Sequence, residues 1–185
     1  KAKAAHVLLG DSPTSEPQLQ LRLPTERYYE EEGRAELTPR DFGILMHRVF
    51  ENAATTDEIY MAIEAMTQDG VLDEKEAPRL RELVEKALAD PVTAEWFGGR
   101  WQVVRNENEI ILPGSGTTRR PDRVMTDGER AVVVDYKFGD RETARHRKQI
   151  REYLRLLRQM GYTRTEGYLW YVRLGRTERV EEKED

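Results

Sequence analysis

The run Ala131-Val132-Val133-Val134 constrains the fold more than any other stretch of this chain. Consecutive apolar residues rich in β-branched side chains, bounded by turn residues, read as a buried strand. The strand ends in Asp135-Tyr136-Lys137. Alternation puts Asp135 and Lys137 on the same side of it. Charges at the end of a central strand are costly to desolvate unless they are paired or hold a metal. Just upstream, Arg123-Val124-Met125 reads as a second strand and Thr126-Asp127-Gly128 as the hairpin turn between the two. A hairpin centred near residues 127–128 pairs positions summing to about 255–257, which brings Asp122 close to Asp135.

The Asp/Glu-x-Lys pattern alone carries little. The chain holds 35 acids and 7 lysines in 185 residues, so roughly one match is expected by chance. Three occur: Asp73-x-Lys75, Asp135-x-Lys137 and Glu181-x-Lys183. The first opens a helix and the last lies in a charged tail, so both read as solvated surface. Only Asp135-x-Lys137 follows a buried run. A plain Asp–Lys ion pair is the bland account of it. Asp122 argues for more, because two adjacent carboxylates repel unless a cation lies between them. Hard oxygen ligands favour Mg²⁺ or Mn²⁺ over zinc. Such an arrangement holds a divalent metal beside a phosphate and suits cleavage of a nucleic-acid backbone.

Charge is divided unevenly along the chain. The net charge is -5, yet residues 100–179 hold 18 Lys+Arg against 11 Asp+Glu. The basic half is therefore the half with the Asp-x-Lys motif, as a phosphate-binding surface requires. Cysteine is absent, which excludes disulfides, cysteine zinc sites and cysteine-ligated clusters and fits a reducing cytoplasm. No run of about 18 apolar residues points to a membrane span.

The length of 185 residues fits one domain. Residues 1–37 read as an arm or linker, with Leu19, Leu21 and Leu23 spaced for one edge strand. Thr38-Pro39 looks like a helix start, with Thr as N-cap and Pro at the first helical position. Residues 57–67 and 76–89 read as two more helices, the second closed by Asp90-Pro91. Trp101–Val104 and Ile110–Leu112 are short extended runs, followed by a Pro113-Gly114-Ser115-Gly116 turn. Residues 142–160 form a helix with Ile150, Leu154 and Leu157 on one face, and Gly161 ends it. Tyr168–Leu174 is the last strand. Helices, three or four strands, a helix and a strand add up to an α/β sandwich around a mixed sheet. A domain over residues 38–180 and a charged tail at 181–185 follow.

Gln149 and Tyr153 share one face of the 142–160 helix, among Arg145, Lys148, Arg151 and Arg155. That face reads either as an ordinary basic exterior or as a nucleic-acid track. His47 lies four residues before Glu51 on the first helix. A lone helical histidine is more often structural than ligating.

Four segments in this order carry a resemblance. They are Gly43-Ile44-Leu45-Met46-His47-Arg48-Val49-Phe50-Glu51, Arg120-Pro121-Asp122-Arg123-Val124, Val134-Asp135-Tyr136-Lys137-Phe138-Gly139 and Gln149-x-x-x-Tyr153. Together they resemble the PD-(D/E)XK nuclease module at the C-terminus of RecB- and AddA-like helicase–nucleases. The resemblance covers roughly residues 38–174. It implies a restriction-endonuclease-like core, a mixed central sheet flanked by helices with an added N-terminal helical portion. It implies that His47, Asp122, Asp135 and the backbone carbonyl of Tyr136 ligate the metal, and that Asp122, Asp135 and Lys137 are catalytic. It also implies a catalytic Glu on the first core strand; Glu107 looks like its counterpart, with Glu109 as the alternative. Gln149 and Tyr153 match the motif after the active-site strand. The lack of cysteine departs from the iron–sulfur-stapled AddB-type relatives.

The implied reaction is Mg²⁺- or Mn²⁺-assisted hydrolysis of DNA, with Arg119, Arg120, Arg145, Lys148 and the rest of the 145–155 helix tracking the backbone. The implied partners are DNA, a helicase domain upstream in the same parent chain and a second subunit of a helicase–nuclease complex. Two rivals remain: a catalytically silent nuclease fold that binds DNA or a helicase, and an unrelated metal-binding α/β domain acting on a small phosphorylated substrate.

Overall fold

The apolar run does become the spine of the molecule. In the computed structural model, residues 39–111, 118–139 and 143–182 are described. Thr38, the arm at 1–37 with its leucine strand, the 113–116 turn and the last three tail residues lie outside them. Among the described residues four helices come first: α1 (Pro39–Glu51), α2 (Thr56–Gln68), α3 (Ala77–Leu88) and α4 (Pro91–Trp96). Then follow β1 (Val103–Asn106), β2 (Ile110–Ile111), β3 (Thr118–Arg119), β4 (Arg123–Asp127), β5 (Arg130–Lys137), α5 (Ala144–Gln159), β6 (Arg164–Tyr171) and β7 (Arg176–Arg179). The main sheet runs in the order β1-β4-β5-β6-β7, while β2 and β3 pair as a separate ribbon. Among the described strands only β5 and β6 are parallel; the other pairs are antiparallel. The sheet is therefore mixed, and α5 is the crossover that its parallel pair requires.

Alternation along β5 divides the core in two. Val132, Val134 and Tyr136 join Met46, Val49, Phe50, Trp96 and Trp170 beneath α1–α4. Ala131 and Val133 join Ile150, Tyr153, Leu154, Leu157 and Tyr171 beneath α5. This is a restriction-endonuclease-like α/β core with an N-terminal helical portion. Gly167 sets how closely α5 lies on β6. A Cβ there would sit 2.4 Å from Ile150 Cγ2, well inside contact distance.

Several local expectations shift. Asp90-Pro91 does not close α3 alone; it opens α4. The Asp90 side chain accepts a hydrogen bond from the Val92 N–H at 2.8 Å, with Pro91 in the first turn. Asp and Pro stop one helix and start the next by the same chemistry. The β4–β5 turn is Gly128-Glu129, one step later than its sequence suggests, with Gly128 at φ 58°. The run Tyr168–Leu174 leaves the sheet after Tyr171, turns through a 3₁₀ segment to a left-handed Gly175 and returns as β7. β7 has no apolar alternation of its own, so nothing in its sequence announced it. Trp101 and Gln102 stay outside β1, which runs on to Asn106.

Candidate active site

The hairpin register builds the site. Arg123 faces Val134 across β4 and β5, so Asp122, one residue earlier, comes to lie beside the Asp135–Tyr136 end of β5. The Tyr136 N–H donates to Asp122 Oδ2 at 2.5 Å and pins that oxygen. Asp135 is 2 % exposed. Its Oδ2 contacts the Lys137 ammonium and has no hydrogen-bond partner besides among the described residues.

α1 and the end of β1 complete the constellation. His47 Nε2 stands 3.0 Å from Glu107 Oε1 and 3.9 Å from Asp122 Oδ1. The His47 ring meets Phe138 edge-on at 6.0 Å. Gly43, one turn earlier, lets α1 approach, since a Cβ there would sit 3.1 Å from Phe138 Cβ. Glu107 follows β1 directly in a left-handed conformation, φ 53°. Its N–H donates to the Asp122 carbonyl at 3.0 Å. A non-glycine residue in that conformation is held by its surroundings.

The charges at this strand end are crowded. Burial first, then the neighbouring Asp135, push the Asp122 carboxyl up to about 7; Glu107 adds to this, while the Tyr136 N–H and Lys137 oppose it. Burial pushes the Tyr153 phenol up to about 12, against the Gln149 hydrogen bond, with Asp135 and Asp122 adding to the rise. Such crowding is what a bound cation relieves. His47, Glu107 and Asp122 each offer a ligand atom, and these atoms lie within 4.8 Å of one another. Two carboxylate oxygens, one imidazole nitrogen and a buried carboxylate oxygen short of partners fit a divalent ion.

The sequence-derived residues do not all fall where expected. Among the described residues, the group that can chelate contains Glu107 and lacks Asp135, which stands with Lys137 instead. Of the two glutamates, Glu107 reaches the site and Glu109 is exposed. Glu107 sits one residue past the first strand rather than on it. Gln149 and Tyr153 do meet, the amide donating to Tyr153 Oη at 2.9 Å. Tyr136 contributes its N–H to Asp122, while its ring packs beneath α1–α4. Arg120 Nε donates to the Glu107 carbonyl at 2.7 Å and lies 2.7 Å from Glu107 Oε2 as an ion pair, so it braces the site. Arg119 Nε pairs with Glu152 Oε2 at 3.1 Å. Arg119, Arg145, Lys148, Gln149 and Glu152 line a groove of about 490 Å³.

Three residues escaped sequence reasoning. Glu152 answers Arg119. His146 lies in the field of Lys137 and Asp135; burial first, then Lys137, pull its pKa below the usual histidine range. Arg123 is fully buried beneath α1–α4. Its signal was its position: a charged residue inside an apolar strand, on the opposite face from Asp122 by alternation.

A mixed sheet with a carboxylate–lysine strand end and a candidate chelating triad defines a nuclease-superfamily enzyme. The PD-(D/E)XK nuclease superfamily matches residues 18–185, nearly the whole length, and the chain belongs to it. Comparison with curated proteins gives no match. No helix among the described residues is long and apolar enough to cross a membrane.

Proposed function

We propose that this chain is a divalent-metal-dependent deoxyribonuclease, the nuclease module of a RecB/AddA-type helicase–nuclease acting in double-strand break repair and recombination. It cuts from DNA ends, uses Mg²⁺ or Mn²⁺ and works in the cytoplasm, beside a motor domain and a second subunit. The observation that carries this reading is the approach of His47, Glu107 and Asp122 to one another beside the Asp135–Lys137 pair.

His47, Glu107 and Asp122 hold the ion, with Asp135 next to them. When bound, the ion lowers the pKa of a water and polarises the scissile phosphate. Asp135 keeps the Lys137 ammonium at the strand end, where it stabilises charge on the phosphoryl oxygens. Asp122 is fixed by the Tyr136 N–H and Glu107 by Arg120, so both carboxylates are oriented before any substrate arrives. Arg145, Lys148 and Gln149 line the path of the DNA backbone. Contacts of that kind carry no base sequence and weaken with salt.

The test is degradation of end-labelled linear DNA by the purified chain with Mg²⁺, with Mn²⁺ and with EDTA. Cleavage with either ion and none with EDTA is expected. DNA binding without cleavage under every metal condition would mean a silent nuclease fold and overturn the reading.

A further inference from the structure

The three candidate ligands come from three distant parts of the sequence, and a single guanidinium touches all three parts. Arg123 Nη1 donates to the Ala53 carbonyl at 2.7 Å and to Asn106 Oδ1 at 3.1 Å. Arg123 Nη2 donates to the Ala54 carbonyl at 2.8 Å and to the Trp96 carbonyl at 2.7 Å. Asn106 closes the ring by donating from Nδ2 to the Ala53 carbonyl at 3.1 Å. The guanidinium lies over the Phe97 ring, 4.0 Å from its centroid. Arg123 itself is 0 % exposed.

We propose that Arg123 is the positioning residue of the metal centre, setting the mutual reach of His47, Glu107 and Asp122; this rests on the metal-dependent reading above. Ala53 and Ala54 follow the C-terminus of α1, the helix that carries His47. Asn106 precedes Glu107, and Asp122 precedes Arg123. Trp96 ends α4. Two carbonyls of the α1–α2 link and the last carbonyl of α4 thus converge on one cation, and the acceptors offset the cost of burying it. A fork of five donors in fixed geometry can satisfy acceptors from several elements at once; an ammonium on a flexible stem cannot. Arg123 touches neither substrate nor ion. It acts through the placement of α1 and of the β1 end.

The test is Mn²⁺ binding to the full chain by titration calorimetry, with folding followed by circular dichroism. Wild type is compared with Arg123→Lys, Asn106→Ala and, as a control for lost stability alone, Val132→Ala, a substitution of another fully buried residue. Removing supporting interactions around a metal site typically costs 10–100-fold in affinity. The expected result is that Arg123→Lys weakens Mn²⁺ binding about 10–100-fold, and that excess Mn²⁺ restores cleavage. Asn106→Ala should weaken binding less, and Val132→Ala should lower Tm without changing affinity. If Arg123→Lys does not fold, Asn106→Ala decides. Wild-type affinity in the folded Arg123→Lys and Asn106→Ala variants overturns the proposal. Failure of wild type itself to bind Mn²⁺ overturns the metal reading, and this proposal with it, and is recognised by occurring before any substitution.

Discussion

The two faces of the central sheet are built differently. Beneath α1–α4 lies an aromatic core in which Phe50, Phe97, Tyr136, Trp96 and Trp170 pack ring to ring, with the fully buried charge of Arg123 among them. Beneath α5 the core is mostly aliphatic, and by alternation Asp135 and Lys137 point to that side. The first face supplies His47 and fixes where it stands. The second face supplies the ammonium and the basic groove. On the proposed reading the ion is held from both sides of the strand end, by His47 from the first face and Asp122 from the second, while the ammonium acts on phosphate from the second alone, and these roles should separate under substitution.

The largest effects test that separation directly. Lys137→Ala should reduce cleavage by at least about 10²–10³-fold, the scale of losing one preorganised electrostatic partner, while Mn²⁺ binding survives. His47→Ala should lose both cleavage and Mn²⁺ affinity. Asp135→Ala should abolish cleavage and leave circular dichroism unchanged. Titration calorimetry alongside the cleavage assay reads all three. Equal loss of Mn²⁺ binding in Lys137→Ala and His47→Ala would erase the distinction between the faces.

The α5 face depends on close packing at one point. Gly167→Ala places a methyl group 2.4 Å from Ile150 Cγ2. Overpacking of that sort costs about 1–3 kcal/mol, or roughly 2–4 °C of Tm for each kcal/mol in a chain of this size. Gly43→Ala meets Phe138 Cβ at 3.1 Å on the other face and should cost less in Tm. Its effect should appear in Mn²⁺ affinity, because α1 carries His47. Thermal melts and titrations of the two variants give opposite rankings if the faces differ as described.

Much of this was legible in the sequence, for particular reasons. The β4–β5 hairpin declared itself through an apolar run and a turn, and its register alone placed Asp122 beside Asp135. The helices showed their apolar stripes. Which glutamate serves the site was not legible, because the deciding feature is the left-handed turn at Glu107 and no propensity marks it. Asp135, expected as a ligand, stands against Lys137 in the metal-free fold, a partner choice that spacing alone does not show. α4 was hidden because Asp90-Pro91 reads equally well as a stop and as a start. Arg123 was marked by its position inside an apolar strand, but its role was hidden because three of its four acceptors are backbone carbonyls, which have no sequence signature.

Acidity distinguishes the site from its surroundings. Burial, then Asp135, raise the Asp122 carboxyl to about 7 in the metal-free fold, against about 3.9 in an unfolded chain. The folded state therefore holds a proton that the unfolded state has lost, and metal-free stability falls as pH rises from about 4 to 7. Asp122→Asn removes that dependence. Its Tm in EDTA should exceed that of wild type at pH 8 and approach it near pH 4. Mn²⁺ should raise the wild-type Tm most above pH 7, where the carboxylate is ready to bind, and should leave Asp122→Asn nearly unmoved. Calorimetric scans at both pH values check this.

The smallest expected effects lie in the groove between Arg119 and α5, where the comparison can be drawn within one surface. Arg119 shares the groove with Arg145 and Lys148 but is engaged by Glu152 at 3.1 Å, both partners more than a third exposed. Exposed pairs of this kind are worth about 0–1 kcal/mol, so a phosphate can displace the carboxylate but has to compete with it. Arg145→Ala and Lys148→Ala should therefore weaken DNA binding more than Arg119→Ala does. Each should lower the dependence of log K on log salt by about 0.7–0.9, the slope of one lost phosphate contact. Glu152→Gln should tighten binding a few-fold and steepen the slope, since it frees Arg119 and removes a negative charge from the path. Fluorescence anisotropy on single- and double-stranded oligonucleotides at several salt concentrations, in Ca²⁺ to prevent cleavage, measures each term. A Glu152→Gln variant that binds no tighter than wild type would show that the DNA backbone does not pass between Arg119 and α5.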